Sequence, residues 1–595
     1  MTRTIPALDL GTRLVRLGAI SGALLMAAIA AALVAEAGLS DGFGLWDALR
    51  TALIFVTTGW LAWGAMLAFV GLPRAPQPAV PELQAPQPRT VVLVPICNED
   101  PISTFARIQA MDASADEAGL RLDVAVLSDT QDAAAAAREE AAFAVLLAET
   151  GGAGRIFYRR RRDNRGRKAG NIESFIRESG GAYDFAVILD ADSLMEGATI
   201  RTLIARMQQD PGLGLLQTLP RIVSAHSLFG RAVQFAAAFH GPVFTRGLAR
   251  MQGGTGPFWG HNAIVRVRAF AESCALPELS GPPPFGGHIL SHDYVEAALL
   301  ARAGWKVQVD GTIGGSFEEG PENLLSFAKR DRRWCQGNLQ HVRLLWAPGL
   351  AGWSRFVFLQ GILAYVVSLL WAAFLLVSVA ATVLAPPPDY FPEPHMLFPV
   401  FPSDRTKEIT ALALGIIGLL ILPKLAILAE AARSGRVQSF GGTGAALASL
   451  ATEILLSSLL APVMMMFQLR AVLQVLSGRD GGWPAHARGE GLLRLGEALR
   501  ASGWIAATGA VGLGLVYQLS SDLVVWMLPV CLPMIVAPAL IAWTSRPLTH
   551  ALFRVPDEIA PAPVVARYHA LMRRKAAALA DRQPAPAELG ADATA

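Results

Sequence analysis

Six stretches of this sequence are apolar enough and long enough to cross a bilayer, and a polar block from 90 to about 345 divides them. The stretches are 14–36 and 49–72 before the block, and 356–385, 408–430, 502–519 and 522–544 after it. Each approaches the roughly 20 apolar residues that a hydrocarbon core requires. A chain arranged this way folds as one water-facing domain held between membrane helices. A further stretch, 443–477, is apolar but interrupted by Glu453, Pro462 and Arg470. It reads as one span, as two short ones, or as an interfacial or re-entrant element, which gives six or eight spans.

Composition agrees. The chain is 53% hydrophobic and 17% charged, against roughly 25% charged in ordinary soluble domains, and its mean hydropathy is +0.40. A formal net charge of +3 leaves no global footprint for nucleic acid, so no nucleic-acid partner is expected. Cys97, Cys274, Cys335 and Cys531 form no CxxC pair and read as free thiols. Arg13 and Arg16 precede the first span without a cleavage signal, so residues 1–72 are expected to hold two retained helices. The Pro-rich segment 73–89 reads as a semi-rigid linker.

Basic residues cluster at 155–168, 329–343, 479–500 and in the tail (Arg567, Arg573, Arg574, Lys575). The positive-inside rule places these in the cytoplasm and the Pro-rich 386–407 outside. Residues 346–545 then form the second membrane region, and 546–595 a cytoplasmic tail that is partly disordered.

Within the block, β-branched runs (TVVLVPI, LDVAVLSD, FAVILDAD, GLGLLQT, KVQVDG) alternate with Ala-rich helical stretches, of which 133–149 is the clearest crossover helix. This predicts an α/β domain over 90–345 around a mostly parallel sheet. Ligands of such sheets bind beyond the carboxyl ends of the strands. Acidic residues fall at three such places: Asp129 ends VAVLSD, Asp190 and Asp192 end FAVILDAD, and Asp293 opens a helix in SHDYVEAALL. Two carboxylates two residues apart at a strand end can reach one Mg²⁺ or Mn²⁺; a turn or a helix cap is the plainer alternative. Lys168 and Asn171 lie in KAGN, leading from the basic run RIFYRRRRDNRGRK into a helix, and a lysine there suits an anion. The earlier arginines, Arg159 to Arg162, read as a loop facing lipid headgroups or an acidic protein. In FWGHNAIVR an aromatic beside a Gly-rich turn could stack a sugar, making Trp259, His261 and Asn262 acceptor-side candidates. Ordinary turn chemistry and structural histidines at 261 and 292 are the alternative. In FAKRDRRWCQGNLQH, Arg333 can bind diphosphate and Trp334 offers a flat face, unless the segment is simply a basic helix at the membrane surface. Glu453 and Arg470 are candidates for the lining of a polar channel, or for an interfacial helix outside the core.

Taken in order, VPICNED, the Ser128–Asp129 pair, KAGN, DAD, the His292–Asp293 pair and RDRRW resemble the membrane-integrated family 2 glycosyltransferases. RRRRDNRGRKAGNIESF, GHNAIVR and EEGPENLLSFAKRDRRWCQGNLQH are most similar to the glucans biosynthesis glucosyltransferase H family. The resemblance implies a cytoplasmic GT-A (Rossmann-like) domain in the bacterial inner membrane. It implies inverting transfer of glucose from UDP-glucose to a growing β-1,2-glucan, exported as osmoregulated periplasmic glucan. By position, Pro95, Glu99 and Asp129 would line the nucleotide pocket and Lys168 would approach the diphosphate. Asp190 and Asp192 would hold nucleotide and metal, Asp293 would be the general base, and Arg333 and Trp334 would end the Q(Q/R)xRW motif. Ser291–His292 stands where the family pattern has Thr–Glu, and Arg330–Asp331 where it has Gln–(Gln/Arg). Membrane lipids, acyl carrier protein and a periplasmic glucan-processing protein are the implied partners. A synthase of cellulose-like β-1,4-glucan and a non-catalytic nucleotide-sugar sensor are the rival readings.

Overall fold

The structure is a computed structural model that describes residues 4–38, 43–74, 81–384, 397–398, 406–480 and 491–580. Most of the 386–407 segment, much of the 479–500 loop and the end of the tail, 581–595, lie outside the described residues.

Ten strands build the polar block: β1 (Thr90–Ile96), β2 (Asp123–Ser128), β3 (Ile156–Arg160), β4 (Phe185–Ile188), β5 (Leu194–Met195), β6 (Leu213–Thr218), β7 (Arg221–Val223), β8 (Ala263–Arg266), β9 (Lys306–Asp310) and β10 (Ser316–Glu319). The main sheet runs β3-β2-β1-β4-β8-β6-β9. All its pairings are parallel except those of β8, which lies antiparallel to β4 and β6. The uninterrupted apolar run of β1 suits a central strand covered on both faces. A small sheet, β5-β10-β7, stands beside it. Crossover helices follow where capping residues allow. Asp100 caps Pro101–Glu117 by accepting from the Ser103 amide. Asp132 caps Ala133–Thr150, and Gly151 closes that helix in a left-handed turn.

Among the described residues six helices are long and apolar enough to cross a membrane: Leu10–Gly38, Leu45–Gly71, Gly352–Val383, Lys407–Arg433, Thr443–Leu476 and Leu495–Leu519. Ser521–Ile535 and Ala537–Thr544 form a further pair bent by 56°, where Pro533 and Pro538 break the hydrogen-bond ladder. The ambiguous stretch is one continuous helix, with Pro462 inside it. Its early turns meet helix Leu228–Gln252, where Glu453 lies 3.9 Å from His240 while accepting from Lys424 at 2.6 and 2.8 Å. Its last turns meet helix Leu324–Gln340, where Gln468 donates to Asp331 at 3.1 Å and Arg332 donates to Gln474 at 3.1 Å. Both ends therefore lie against the catalytic domain. Arg470 stacks on Trp504, 5.4 Å from its ring centre.

The tail returns to the sheet. In helix Pro563–Ala580, Val564, Val565 and Tyr568 join the core formed by Val92, Ile108, Val126 and Met195.

Candidate active site

The first wall of the site is the end of β2. Asp129 is 5% exposed. Arg161 grips its carboxylate with two bonds of 2.7 Å, and Asn171 adds a third of 2.8 Å. Asn171 also donates to the Leu127 carbonyl at 3.0 Å and accepts from Arg159 at 2.7 Å. Behind them Glu139, 1% exposed, accepts from Ser128, Thr130 and Tyr158. At the end of β1, past Pro95, the Asn98 amide donates to the Thr130 hydroxyl at 2.8 Å, and Glu99 accepts from the Cys97 amide. This ties the β1 and β2 ends together.

The second wall is the end of β4. Lys168, in the first turn of helix Arg167–Ser179, donates to the Asp190 carboxylate and, at 2.8 Å, to the Gly260 carbonyl. Gly260 has φ +91, and a Cβ there would lie 3.4 Å from the Asp293 carboxylate. A left-handed backbone that tolerates glycine thus lets the loop close over Asp293. Lysine, the first carboxylate of DAD and Asp293 in the first turn of helix His292–Arg302 therefore meet around a single residue, Gly260. Burial pushes the Asp293 carboxyl up, with His292 opposing and Glu296 adding to the rise. His292 pairs with Glu296 at 3.0 Å.

Helix Leu324–Gln340 closes the site. Arg333 is half-buried, and burial and Arg330 lower its pKa while the Asp190 carboxylate opposes them. Trp334 is 43% exposed, with the Arg330 guanidinium 4.6 Å over its ring. Asp331 turns the other way, to Gln468 of the long membrane-side helix. The residue that departs from the family pattern is thus an anchor to the membrane region.

Several expectations need correction. Arg159 and Arg161 do not face lipid or a protein partner; they are spent on Asn171, Glu178 and Asp129. Only Arg160 and Arg162 of that run are exposed. Asn171 and Asn262 are each 0% exposed. Asn171 holds Asp129, and Asn262 accepts from Ser193 at 2.6 Å and donates to Ser316 at 2.7 Å, so both brace the site from behind. His261 contacts Asn262 at 3.0 Å and Glu318 at 3.5 Å. Burial works against its imidazolium, but Asp190 and Glu318 outweigh it and raise the pKa. His261 therefore belongs to the carboxylate side. Trp259 is partly exposed beside it, its amide donating to Gln217 at 2.6 Å. The sequence reading missed Glu139, Glu318 and Arg107, whose partners are all distant in the chain or buried.

No group of three or more His, Cys, Asp or Glu side chains able to hold a metal occurs among the described residues. Asp190 and Asp192 alone suit Mg²⁺ or Mn²⁺, which keeps several waters and takes substrate phosphates as its other ligands. The Lys168 ammonium already on Asp190 marks a place where positive charge is favoured.

The glycosyl transferase family 2 profile matches residues 91–273, and that of glycosyl transferase family group 2 matches 185–385. With the mixed sheet and its strand-end carboxylates, this defines a GT-A glycosyltransferase of family 2. The chain is 57% identical to the glucans biosynthesis glucosyltransferase H of Cereibacter sphaeroides, over 98% of this chain and 97% of that one. It is 41% identical to that of Bradyrhizobium diazoefficiens, over 90% of this chain and 74% of that one. The chain belongs to the glucans biosynthesis glucosyltransferase H family. Among solved structures, a mannosyltransferase from Pyrobaculum calidifontis in complex with GDP-Man and Mn²⁺ covers 73% of this chain at 15% identity and a TM-score of 0.46, too slight a likeness to bear on the site.

Proposed function

We propose that this protein polymerises glucose from UDP-glucose, with inversion, into the β-1,2-linked backbone of osmoregulated periplasmic glucans and passes the chain across the bacterial inner membrane. One observation carries the reading: Lys168 joins Asp190 to the Gly260 carbonyl while Gly260 faces Asp293. A cation for the diphosphate and a carboxylate base thus stand on opposite sides of one small gap.

In the reaction, Asp293 takes the proton of an acceptor hydroxyl as the oxygen bonds to the anomeric carbon. The bond from that carbon to UDP breaks on the opposite face, and UDP leaves with the electron pair. Lys168 and Arg333 donate to the leaving diphosphate. Held by Asp190 and Asp192, a bound Mg²⁺ or Mn²⁺ would neutralise that charge further. Pro95, Glu99 and Asp129 line the nucleotide side, and Trp259 and Trp334 the sugar side, with His261 held among the carboxylates by Glu318. Because burial raises the Asp293 pKa above its ordinary carboxylate value, transfer should rise with pH through that raised value.

Membrane topology follows the same logic. Both ends of Thr443–Leu476 meet the catalytic domain, which supports a helix lying along the cytoplasmic surface. Ser545 at the end of the bent pair accepts from the Leu493 amide at 2.9 Å, so Leu495–Leu519 and the bent pair make a hairpin. Six crossings result, with both terminal segments cytoplasmic. Arg162, and Arg160 beside its 3.8 Å pair with Glu140, are the exposed arginines of that run that could meet anionic lipid or an acidic carrier protein.

The test is product analysis: protein in nanodiscs, Mg²⁺, radiolabelled UDP-glucose and linkage-specific glucanases. Polymer cut only by a β-1,2-glucanase is the expected result. Polymer cut by a cellulase would move the protein to the β-1,4 reading, and no transfer would overturn the donor assignment.

A further inference from the structure

We propose that the tail helix Pro563–Ala580 is a working part of the donor site, with Tyr568 setting the Asp190–Ala191–Asp192 turn through Arg107. The proposal rests on the reading that this turn holds a divalent cation.

Arg107 lies in helix Pro101–Glu117, with its side chain 3% exposed. One guanidinium nitrogen donates to the Ala191 carbonyl at 3.4 Å, and another to the Glu319 carboxylate on β10. Ala191 is the residue between the two carboxylates. On the far face of the guanidinium lies the Tyr568 ring, 4.6 Å from its carbon. Arg107 is thus sandwiched between the tail and the turn.

The surrounding contacts make the arrangement specific. β5 begins directly after the turn, and Leu194 pairs with Phe317 of β10, two residues from Glu319. Arg107 therefore ties the start of β5 to its neighbour strand. On the other side, the Asp190 amide donates to the Ser193 hydroxyl at 3.1 Å, and Ser193 leads to Asn262. The turn is braced by Ser193 in front and by Arg107 behind. The tail is fixed by several bonds of its own. Arg567 pairs with Glu117, Lys575 with Glu149 at 3.1 Å, and His569 meets the Ser224 hydroxyl at 3.1 Å. Upstream, Asp557 pairs with Arg221 at 3.1 Å and Glu558 with Arg231 at 2.9 Å.

The physical argument is one of aim. Two carboxylates serve one cation only while their backbone turn keeps them convergent. Partners behind metal ligands are worth about tenfold to a hundredfold in metal affinity. An aromatic face favours a guanidinium lying flat upon it, and in that pose Arg107 points at the Ala191 carbonyl. Without the ring, Glu319 alone directs the guanidinium and the turn loses its rear brace. Tyr568 and Arg107 are positioning residues, and neither touches substrate.

The test is Mn²⁺ binding to the full-length protein in nanodiscs with UDP present, followed by electron paramagnetic resonance. Tyr568→Leu keeps apolar bulk in the core but removes the ring face; it is expected to weaken Mn²⁺ binding by about tenfold or more. Tyr568→Phe keeps the face and should bind like the parent. Asp190→Asn is the reference variant and should abolish the bound-Mn²⁺ signal. If Asp190→Asn leaves binding unchanged, the metal reading fails. If it abolishes binding while Tyr568→Leu and Tyr568→Phe both match the parent, the positioning proposal alone is overturned. Loss in Leu and Phe alike would also overturn it, since the hydroxyl and not the ring face would then be at work.

Discussion

Asp129 and Asp190 stand at the ends of β2 and β4, with β1 between them, and the protein treats them in opposite ways. Asp129 is 5% exposed and takes three bonds from Arg161 and Asn171. The Asp190 side chain is 38% exposed. The nucleotide wall is finished by the protein's own donors, which fixes its shape before any ligand arrives. On the reading proposed above, the Asp190 wall, where Lys168 already donates, is the one that meets phosphate and metal. The difference teaches that a carboxylate at a strand end is a position, and that its neighbours decide whether it shapes the pocket or serves the reaction.

The sharpest break in this comparison should come from Asp293→Asn. Transfer should fall by about 10²- to 10⁴-fold, while UDP binding measured by calorimetry stays close to the parent. Loss of UDP binding would move Asp293 to the nucleotide side. The same variant has a stability signature. Burial raises the folded-state pKa of Asp293 above 3.8, so between 3.8 and that raised value the folded state binds more protons than the unfolded one. Stability of the parent therefore falls as pH rises through this window, and the asparagine variant should gain on it at neutral pH but not at acid pH.

Next in size is Arg161→Ala, which leaves the Asp129 carboxylate buried without its partner. It should destabilise the domain by about 3 kcal/mol, with Asp129→Asn in the same chain restoring part of the loss in thermal unfolding. An effect limited to the KM for donor would make the pair a substrate contact. Glu139→Gln should cost about 1–2 kcal/mol, because an amide places a donor among three hydroxyls that now donate to Glu139. Its KM should rise while kcat holds. The smallest effect belongs to charge reversal of Arg160 and Arg162, within about 0.5 kcal/mol in stability and without change in transfer. Only cosedimentation with anionic vesicles or an acidic carrier protein should respond.

The sheet was legible because its strands are continuous apolar runs, and the strand-end acids because a charge ending such a run has few reasons to be there. Asp129, Asp190 and Asp192 lie just beyond β2 and β4, where that rule puts them, whereas Asp293 opens a helix. The split within the basic run was not legible. Arg159, Arg160, Arg161 and Arg162 are identical in type, and strand alternation plus the partners Asn171 and Asp129 decide which point inward. Asp331 was opaque for a related reason: its partner Gln468 lies 137 residues away. The same holds for Tyr568, whose role exists only because the chain folds back beneath β5.

That return has a consequence for the order of events during synthesis. Val564, Val565 and Tyr568 complete a core begun by β1, and they leave the ribosome only after the last membrane hairpin. The catalytic domain is thus held short of its final packing until the helices that anchor it have been made. A nascent chain with its membrane helices still missing lacks Val564, Val565 and Tyr568 from the core behind β1 and β5. The domain comes of age with the first turns of its tail helix, after every membrane helix has been made.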